Sequence, residues 1–269
     1  MNPSPNRRST SVFSLLWKIL MFVVLIFVGM SHFFANSLIF YQFPSSYSDG
    51  SQYISLQNGN DRVVCRYLSN PDSEYLVIYS HGNAEDLGNV EPILKGFRAA
   101  GISVLGYDYP GYGLSSGRPT EKSCYESLGV VIDFAEKELK YPPEKIILHG
   151  RSLGSGPVVE WCKRRDFGGM ILESAFKSTF QTVLKVGWIP WDRFQNLRKI
   201  PYVNESTLIL HGGADEVIPI EHGKALFEAS KAPKLYYWVD GAGHNDLVAS
   251  MGSEYWSLMQ DFISYLDVE

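Results

Sequence analysis

The sequence predicts an α/β fold in which a mostly parallel central sheet carries helices on both faces. Two observations lead to this fold class: short apolar, β-branched runs recur along the chain, and stretches of helical period separate them. Near-continuous apolar runs are typical of strands that are buried on both faces. When strands and helices alternate, right-handed crossovers place the strands side by side and parallel.

The predicted elements follow in a regular order. An antiparallel hairpin comes first, because Asn58-Gly59-Asn60 separates strands predicted at 52–56 and 62–67. Short buried strands are then predicted at 75–80, 102–107, 145–148, 170–172, 207–210 and 235–239. Helices are predicted at 86–99, 121–139, 152–165, 221–230 and 254–266.

Composition and charge narrow the class of function. The 269-residue chain is 45% apolar and 20% charged, as is usual for a folded domain, and its net charge is −5. Because its basic residues are scattered, no nucleic-acid partner is expected. Cys65, Cys124 and Cys162 lack C-x-x-C spacing, which predicts small buried side chains and no metal site, with one disulfide left open. No cofactor is expected.

The amino-terminal segment predicts a transmembrane helix that acts as a single-pass anchor. Residues 19–41 contain no Asp, Glu, Lys or Arg, and roughly 20 mainly apolar residues suffice to cross a bilayer. Arg7, Arg8 and Lys18 precede this segment, which places residues 1–18 in the cytoplasm and a large folded domain at 52–269 on the non-cytoplasmic side. A cleaved signal peptide is the alternative, but Phe33-Phe34-Ala35 has a large residue where a small one is needed.

Residues 177–205 interrupt the alternation of strands and helices. The segment is long and rich in aromatic and proline residues, which predicts a small cap or lid over the strand ends. Trp188, Trp191 and Phe194 are candidates to line a substrate pocket there. The alternative is that these residues pack an ordinary crossover helix with a long loop.

One pentapeptide carries the signature of a serine nucleophile: Gly150-Arg151-Ser152-Leu153-Gly154 matches G-x-S-x-G. The pattern alone is weak, because Gly113-Leu114-Ser115-Ser116-Gly117 matches it too. Ser152 follows a predicted strand and opens a predicted helix, whereas Ser115 follows a Pro-Gly-Tyr-Gly loop. We therefore expect Ser152 to be the nucleophile and Ser115 to have a role in a loop.

A serine nucleophile needs a general base, and the base needs an acid that orients it. His244 is the expected base, because it lies in a Gly-rich loop after the last predicted strand and before the last helix. Asp215 is the preferred acid, since it lies on a Gly-rich turn after the strand at 207–210. Glu173, which directly follows the preceding strand, is the alternative acid.

Two backbone N–H groups are expected to form an oxyanion hole. Leu153 directly follows the nucleophile and lies at a predicted helix N-terminus, so its N–H is the first. The second is expected from Asn83 in the loop His81-Gly82-Asn83-Ala84, which follows an early strand. A tight turn into the next helix is the alternative role of this loop.

Six segments, in one order, resemble the Bem46-like α/β hydrolases: 81–86, 107–113, 150–157, 173–176, 211–219 and 241–246. This group includes α/β-hydrolase domain-containing proteins of the 13 and 17 types and borders on the S33 serine aminopeptidases. The resemblance covers about residue 52 to the end. It implies an α/β-hydrolase fold with Ser152, Asp215 and His244 as the catalytic triad, and it favours Asp215 over Glu173.

The resemblance also bears on the activity. An amino-terminal anchor is similar to the 13 type, whereas the 17 type has a cysteine-rich, lipidated amino terminus and removes palmitate from proteins. This chain has no cysteine before Cys65, so that activity is not carried over. The expected function is hydrolysis of carboxylic esters or thioesters, lipids among them, through an acyl-enzyme. A peptidase of the S33-like type and a non-catalytic, membrane-tethered binding protein are the alternatives.

Overall fold

The computed structural model describes residues 7–183 and 192–268. Over these residues the chain forms eight strands: β1 (Tyr53–Asn58), β2 (Asp61–Leu68), β3 (Leu76–Ser80), β4 (Ser103–Tyr107), β5 (Ile146–Arg151), β6 (Gly169–Glu173), β7 (Thr207–Gly212) and β8 (Lys234–Val239). The same residues form nine α-helices: α1 (Arg7–Ile39), α2 (Leu87–Ala99), α3 (Glu121–Lys137), α4 (Ser155–Arg164), α5 (Thr179–Val183), α6 (Asn196–Lys199), α7 (Glu221–Ala229), α8 (Leu247–Met251) and α9 (Ser253–Leu266). The chain divides into two compact units between Phe40 and Tyr41.

The eight strands described form a single sheet in the order β1-β2-β4-β3-β5-β6-β7-β8. β1 pairs antiparallel with β2, and β2 pairs antiparallel with β4. All other neighbouring strands in the sheet are parallel. The predicted mostly parallel sheet is therefore confirmed. Because the carboxyl ends of parallel strands lie at the same edge of a sheet, the loops that follow β3, β5, β6 and β7 all emerge at that edge.

Both faces of the sheet are covered by helices. On one face, Leu94 of α2 and Phe262 of α9 belong to the same apolar cluster as Val77 and Ile147 of the sheet. Alternate residues of each strand point to the opposite face, where α3 packs on β3 and α4 packs on β5. Every residue of β3 and β5 is buried, which explains the apolar runs at 76–78 and 146–148 in the sequence.

The structure departs from the predicted elements at three places. The helix predicted at 152–165 begins with a 3-10 turn, Ser152–Gly154, and becomes α-helical only at Ser155. The sequence did not predict α8, because five residues are too few to show a helical period. Within the insertion predicted at 177–205, the structure describes α5, α6 and a 3-10 turn, Ile200–Tyr202.

The three cysteines are buried, as the sequence predicted. Cys65, Cys124 and Cys162 are all free thiols, so the disulfide that was left open does not form.

Within the part of the chain that the structure describes, no helix has the length and apolar character needed to span a bilayer. The membrane anchor predicted at 19–41 is therefore not supported, nor is the single-pass topology based on it.

Candidate active site

Ser152 lies at the sharp turn between β5 and α4. Its φ is +50°, in the left-handed region that residues other than glycine rarely adopt. The turn packs tightly against its surroundings: a Cβ on Gly154 would lie 2.0 Å from the carbonyl oxygen of Ser80, and one on Gly150 would lie 2.6 Å from the carbonyl oxygen of Gly154. Only glycine fits at both positions, so the surrounding backbone enforces the strained conformation of Ser152.

Gly154→Ala is expected to disrupt this turn, because the added methyl group overlaps backbone that cannot rotate away. The free energy of unfolding should fall by about 1–3 kcal/mol or more, the usual cost of overpacking, and the reactivity of Ser152 should be lost. Gly213→Ala is the matched control, since its Cβ would meet nothing closer than 3.4 Å. Chemical denaturation measures the effect, and wild-type stability of Gly154→Ala would contradict the packing described.

Ser115, in the other G-x-S-x-G segment, has a different environment. Its hydroxyl donates to the carbonyl of Asp108 at 2.9 Å and accepts from the N–H of Val64 at 2.9 Å. It is buried in a loop between β4 and α3. The structure thus gives Ser115 the role of joining this loop to β2.

His244 lies between Ser152 and a carboxylate. It belongs to the loop between β8 and α8, with its Nε2 3.0 Å from the Ser152 Oγ and its Nδ1 2.7 Å from the Asp215 Oδ2. An ionised carboxylate only accepts hydrogen bonds, so the Nδ1 carries the proton of the neutral imidazole. The Nε2 therefore has the free lone pair and can accept the proton of the Ser152 hydroxyl.

Asp215 is fixed by hydrogen bonds to both of its oxygens. Its Oδ1 accepts from the N–H groups of Val217 and Ile218 at 2.9 Å and 2.7 Å, and the Nε2 of His211 lies 3.3 Å from its Oδ2. Burial would raise the pKa of Asp215, but hydrogen bonds from His211, His244 and Ile218 outweigh burial and hold this pKa well below its usual range. The carboxylate is therefore ionised at neutral pH and keeps the imidazole in the tautomer described above.

Glu173, the alternative acid, makes other contacts. Its Oε2 accepts from the Tyr255 hydroxyl at 2.7 Å and lies 3.2 Å from the His149 Nε2, while its Oε1 lies 3.3 Å from the Arg151 Nε. Burial would raise the pKa of Glu173, but these neighbours outweigh burial and lower it. The structure thus brings Asp215 to His244 and leaves Glu173 in a buried network beneath them.

The two expected oxyanion-hole residues lie on neighbouring segments of the chain's fold. Leu153 follows Ser152 in the 3-10 turn, and Asn83 lies in the loop between β3 and α2. A Cβ on Gly82, next to Asn83, would lie 2.9 Å from the Nη1 of Arg151, next to Ser152. The fold therefore brings these segments together at the edge of the sheet where Ser152 lies.

The side chain of Asn83 holds its own loop in place. Its Oδ1 accepts from the Tyr112 hydroxyl at 2.6 Å and from the N–H groups of Tyr41 and Ala84, both at 3.1 Å. Ser46 also donates its N–H to the Asp86 Oδ2 at 2.7 Å. Residues 41–46 thus support the loop that carries Asn83, a role that the sequence did not indicate because this segment has no regular period.

The three aromatic residues expected near a substrate pocket have different outcomes. Trp188 and Trp191 lie outside the described residues. Phe194 is fully buried, and its ring packs edge-on against Tyr125 and Phe176, with centroid separations of 5.7 Å and 6.5 Å. Phe194 therefore packs among aromatic side chains in the interior of the domain. In the ranges 7–183 and 192–268, no group of three His, Cys, Asp or Glu side chains could hold a metal ion.

Known proteins resemble this chain over most of its length. The α/β hydrolase domain-containing protein 17B of Homo sapiens is 33% identical over 235 residues, covering 83% of this chain and 79% of that protein. The chain belongs to this α/β-hydrolase family. The C. elegans α/β hydrolase domain-containing protein aho-3 is 35% identical over 207 residues, covering 76% of this hydrolase but only 62% of aho-3. This α/β hydrolase therefore spans less than two thirds of aho-3.

The serine aminopeptidase S33 family model matches residues 71–198 of this α/β hydrolase. The fold of this chain is also found in solved structures whose sequences are only 16–18% identical to it. The Pyrococcus furiosus esterase Pf2001 has a TM-score of 0.71 at 16% identity, covering 84% of this chain and 99% of the esterase. An α/β serine hydrolase homologue from Coxiella burnetii has a TM-score of 0.63 at 18% identity, covering 82% of this chain and 100% of the homologue. These similarities confirm the predicted α/β-hydrolase fold.

Proposed function

We propose that this α/β hydrolase is a serine hydrolase that cleaves carboxylic esters or thioesters through an acyl-enzyme. The observation that carries the proposal is the hydrogen-bonded line from Ser152 through His244 to Asp215, with separations of 3.0 Å and 2.7 Å. A serine hydroxyl is a weak nucleophile without an adjacent base, and this arrangement supplies both a base and a group that orients it. Membership of an α/β-hydrolase family supports the same chemistry.

In the first half of the proposed reaction, the Ser152 Oγ attacks the carbonyl carbon while its proton moves to the His244 Nε2. The carbonyl oxygen becomes an oxyanion, which the backbone N–H groups of Leu153 and Asn83 stabilise. Asp215 stabilises the imidazolium by accepting from its Nδ1. His244 then gives its proton to the leaving alcohol or thiol, and the acyl group remains on Ser152 as an ester.

The second half returns the enzyme to its starting state. A water molecule loses a proton to the His244 Nε2 as its oxygen attacks the acyl carbon. The resulting tetrahedral intermediate is held by the same N–H groups. His244 gives the proton back to the Ser152 Oγ, and the carboxylic acid leaves. In each half, the proton that His244 takes from the attacking oxygen is given to the atom whose bond to the acyl carbon breaks.

A phosphonate probe tests the nucleophile directly. Wild-type protein should be labelled covalently, and Ser152→Ala should not, because the probe forms its bond with the activated Oγ. Ser115→Ala is the matched control, since Ser115 lies in the same sequence pattern but not at the strand–helix turn. Absence of labelling in the wild type would refute the proposed function.

A substrate series tests the class of ester. We propose that the partner is an acyl ester or thioester, with lipids included, so p-nitrophenyl esters and acyl-thioesters of increasing chain length should be hydrolysed. A peptidase is the second candidate, because the matching family model describes serine aminopeptidases. Turnover of an aminoacyl naphthylamide well above that of every ester would favour the peptidase.

A further inference from the structure

Arg151 is a buried cation directly before Ser152. It ends β5, and only 10% of its side chain is exposed. Removing a guanidinium from water is costly unless ion pairs and hydrogen bonds compensate for the lost hydration. The contacts of Arg151 therefore show which groups this cation holds together.

The guanidinium reaches two loops and the end of β6 besides its own strand. Its Nη1 donates to the Glu85 Oε1 at 2.5 Å, in the loop before α2. Its Nη2 donates to the main-chain oxygen of His244 at 3.2 Å and to the Asn245 Oδ1 at 2.7 Å. Its Nε lies 3.3 Å from the Glu173 Oε1 at the end of β6.

The two carboxylates that Arg151 contacts, those of Glu85 and Glu173, also accept hydrogen bonds from other groups. The Glu85 Oε2 accepts from the N–H of Gly82 at 2.8 Å, which connects Arg151 to the loop that carries Asn83. The Glu173 Oε2 accepts from the hydroxyl of Tyr255, in α9. Arg151 is thus the link between a fixed point at β6 and two loops.

We propose that Arg151 is a positioning residue, which holds the His244 loop and the Gly82–Asn83 loop in register with Ser152. This inference rests on the proposed function, in which both loops supply groups to the reaction. The His244 loop begins Gly241-Ala242-Gly243 and has no strand or helix of its own, so it needs an external support. The planar guanidinium, with five N–H donors, can bond two loops and the end of β6 at once, whereas the compact ammonium of a lysine cannot.

Arg151→Lys tests the inference, since it keeps the charge but not the geometry. We expect kcat to fall roughly 10- to 100-fold, because displacement of a reacting group by about 1 Å has effects of this size. KM should change less than about threefold, because Arg151 bonds the loops rather than the substrate. The melting temperature should fall by a few degrees, because a buried cation loses some of its bonds, but the variant should stay folded at the assay temperature.

Asn245→Ala is a second test that does not leave a buried charge without its partner. The residue is exposed and supplies only one of the bonds to Arg151, so kcat should fall by several-fold. The matched control is Arg165→Lys, because Arg165 pairs with Glu136 outside the network that contains Ser152. This control should leave kcat unchanged.

Phosphonate labelling separates failure of this inference from failure of the proposed function. Arg151→Lys should be labelled more slowly than the wild type but to the same final extent, because Ser152 is intact. A wild type that is never labelled would refute the hydrolase itself. Equal labelling rates and equal kcat for wild type, Arg151→Lys and Asn245→Ala would overturn the positioning role. Loss of kcat together with a matching loss of folded protein would overturn it as well.

Discussion

His244→Ala is expected to reduce kcat by a factor on the order of 10⁶, since loss of the base from a triad costs nearly as much as loss of the whole triad. The reason lies in the geometry of the site. The His244 Nε2 is the group within hydrogen-bond distance of the Ser152 Oγ, and the imidazole separates Ser152 from Asp215. Without it, Ser152 loses the base that accepts its proton. Steady-state hydrolysis of a p-nitrophenyl ester measures the effect.

His222→Gln is the matched control for this prediction. His222 lies at the start of α7, where its Nδ1 accepts from the N–H of Lys177 at 3.2 Å, and a glutamine oxygen can accept the same bond. Its kcat should remain within a few-fold of the wild type. If His244→Ala retained more than about one hundredth of the wild-type kcat, a triad mechanism of this kind would be refuted.

The sheet was predictable because burial on both faces produces a clear sequence signal. The strand predicted at 75–80 is observed as β3 at 76–80, and the strand predicted at 207–210 as β7 at 207–212. The order of the strands was not predictable in the same way. β4 lies between β2 and β3, so the order of the strands in the sheet differs from their order in the chain. The order in the sheet depends on how the crossover helices pack. The period of the apolar residues does not encode that packing.

For the candidate site as well, the sequence showed the local features but not those that depend on long-range packing. Ser152 and His244 are indicated by local features, namely a glycine-bounded turn and a Gly-rich loop. The choice between Asp215 and Glu173 needed more than local features, because each carboxylate follows a strand at the same edge of the sheet. Packing decides which one faces His244. A resemblance to a family favoured Asp215, and the structure gives the physical reason.

The sequence analysis did not predict a role for Arg151. It stands inside the pentapeptide that identifies Ser152, yet its partners Glu85 and His244 are 66 and 93 residues away along the chain. No local period connects such positions. The available signal was a charged residue in the turn that follows a predicted buried strand, because a buried charge in a folded protein requires partners.

Asp215→Asn is expected to lower kcat roughly 10⁴-fold while leaving the site folded, as loss of the orienting carboxylate does in serine hydrolases. The hydrogen bonds that fix Asp215 explain the size of the effect. An asparagine oxygen can keep the bonds from Val217 and Ile218, which turns its NH₂ group toward His244. The His244 Nδ1 must then accept, so the Nε2 carries the proton and cannot take another from Ser152. Burst and steady-state kinetics with an activated ester measure the loss, and Asp133→Asn, on the exposed face of α3, is the control.

The same substitution should alter the pH dependence of stability. The pKa of Asp215 is lower in the folded than in the unfolded protein, so its ionised form stabilises the fold. This contribution is fully present above the unfolded pKa of about 4 and is lost as the pH falls through the folded pKa. The difference in free energy of unfolding between wild type and Asp215→Asn should therefore be constant near neutral pH and shrink below about pH 4. Urea unfolding at several pH values measures it, and a difference that stayed constant down to pH 2 would show that the carboxylate is not held ionised by His211, His244 and Ile218.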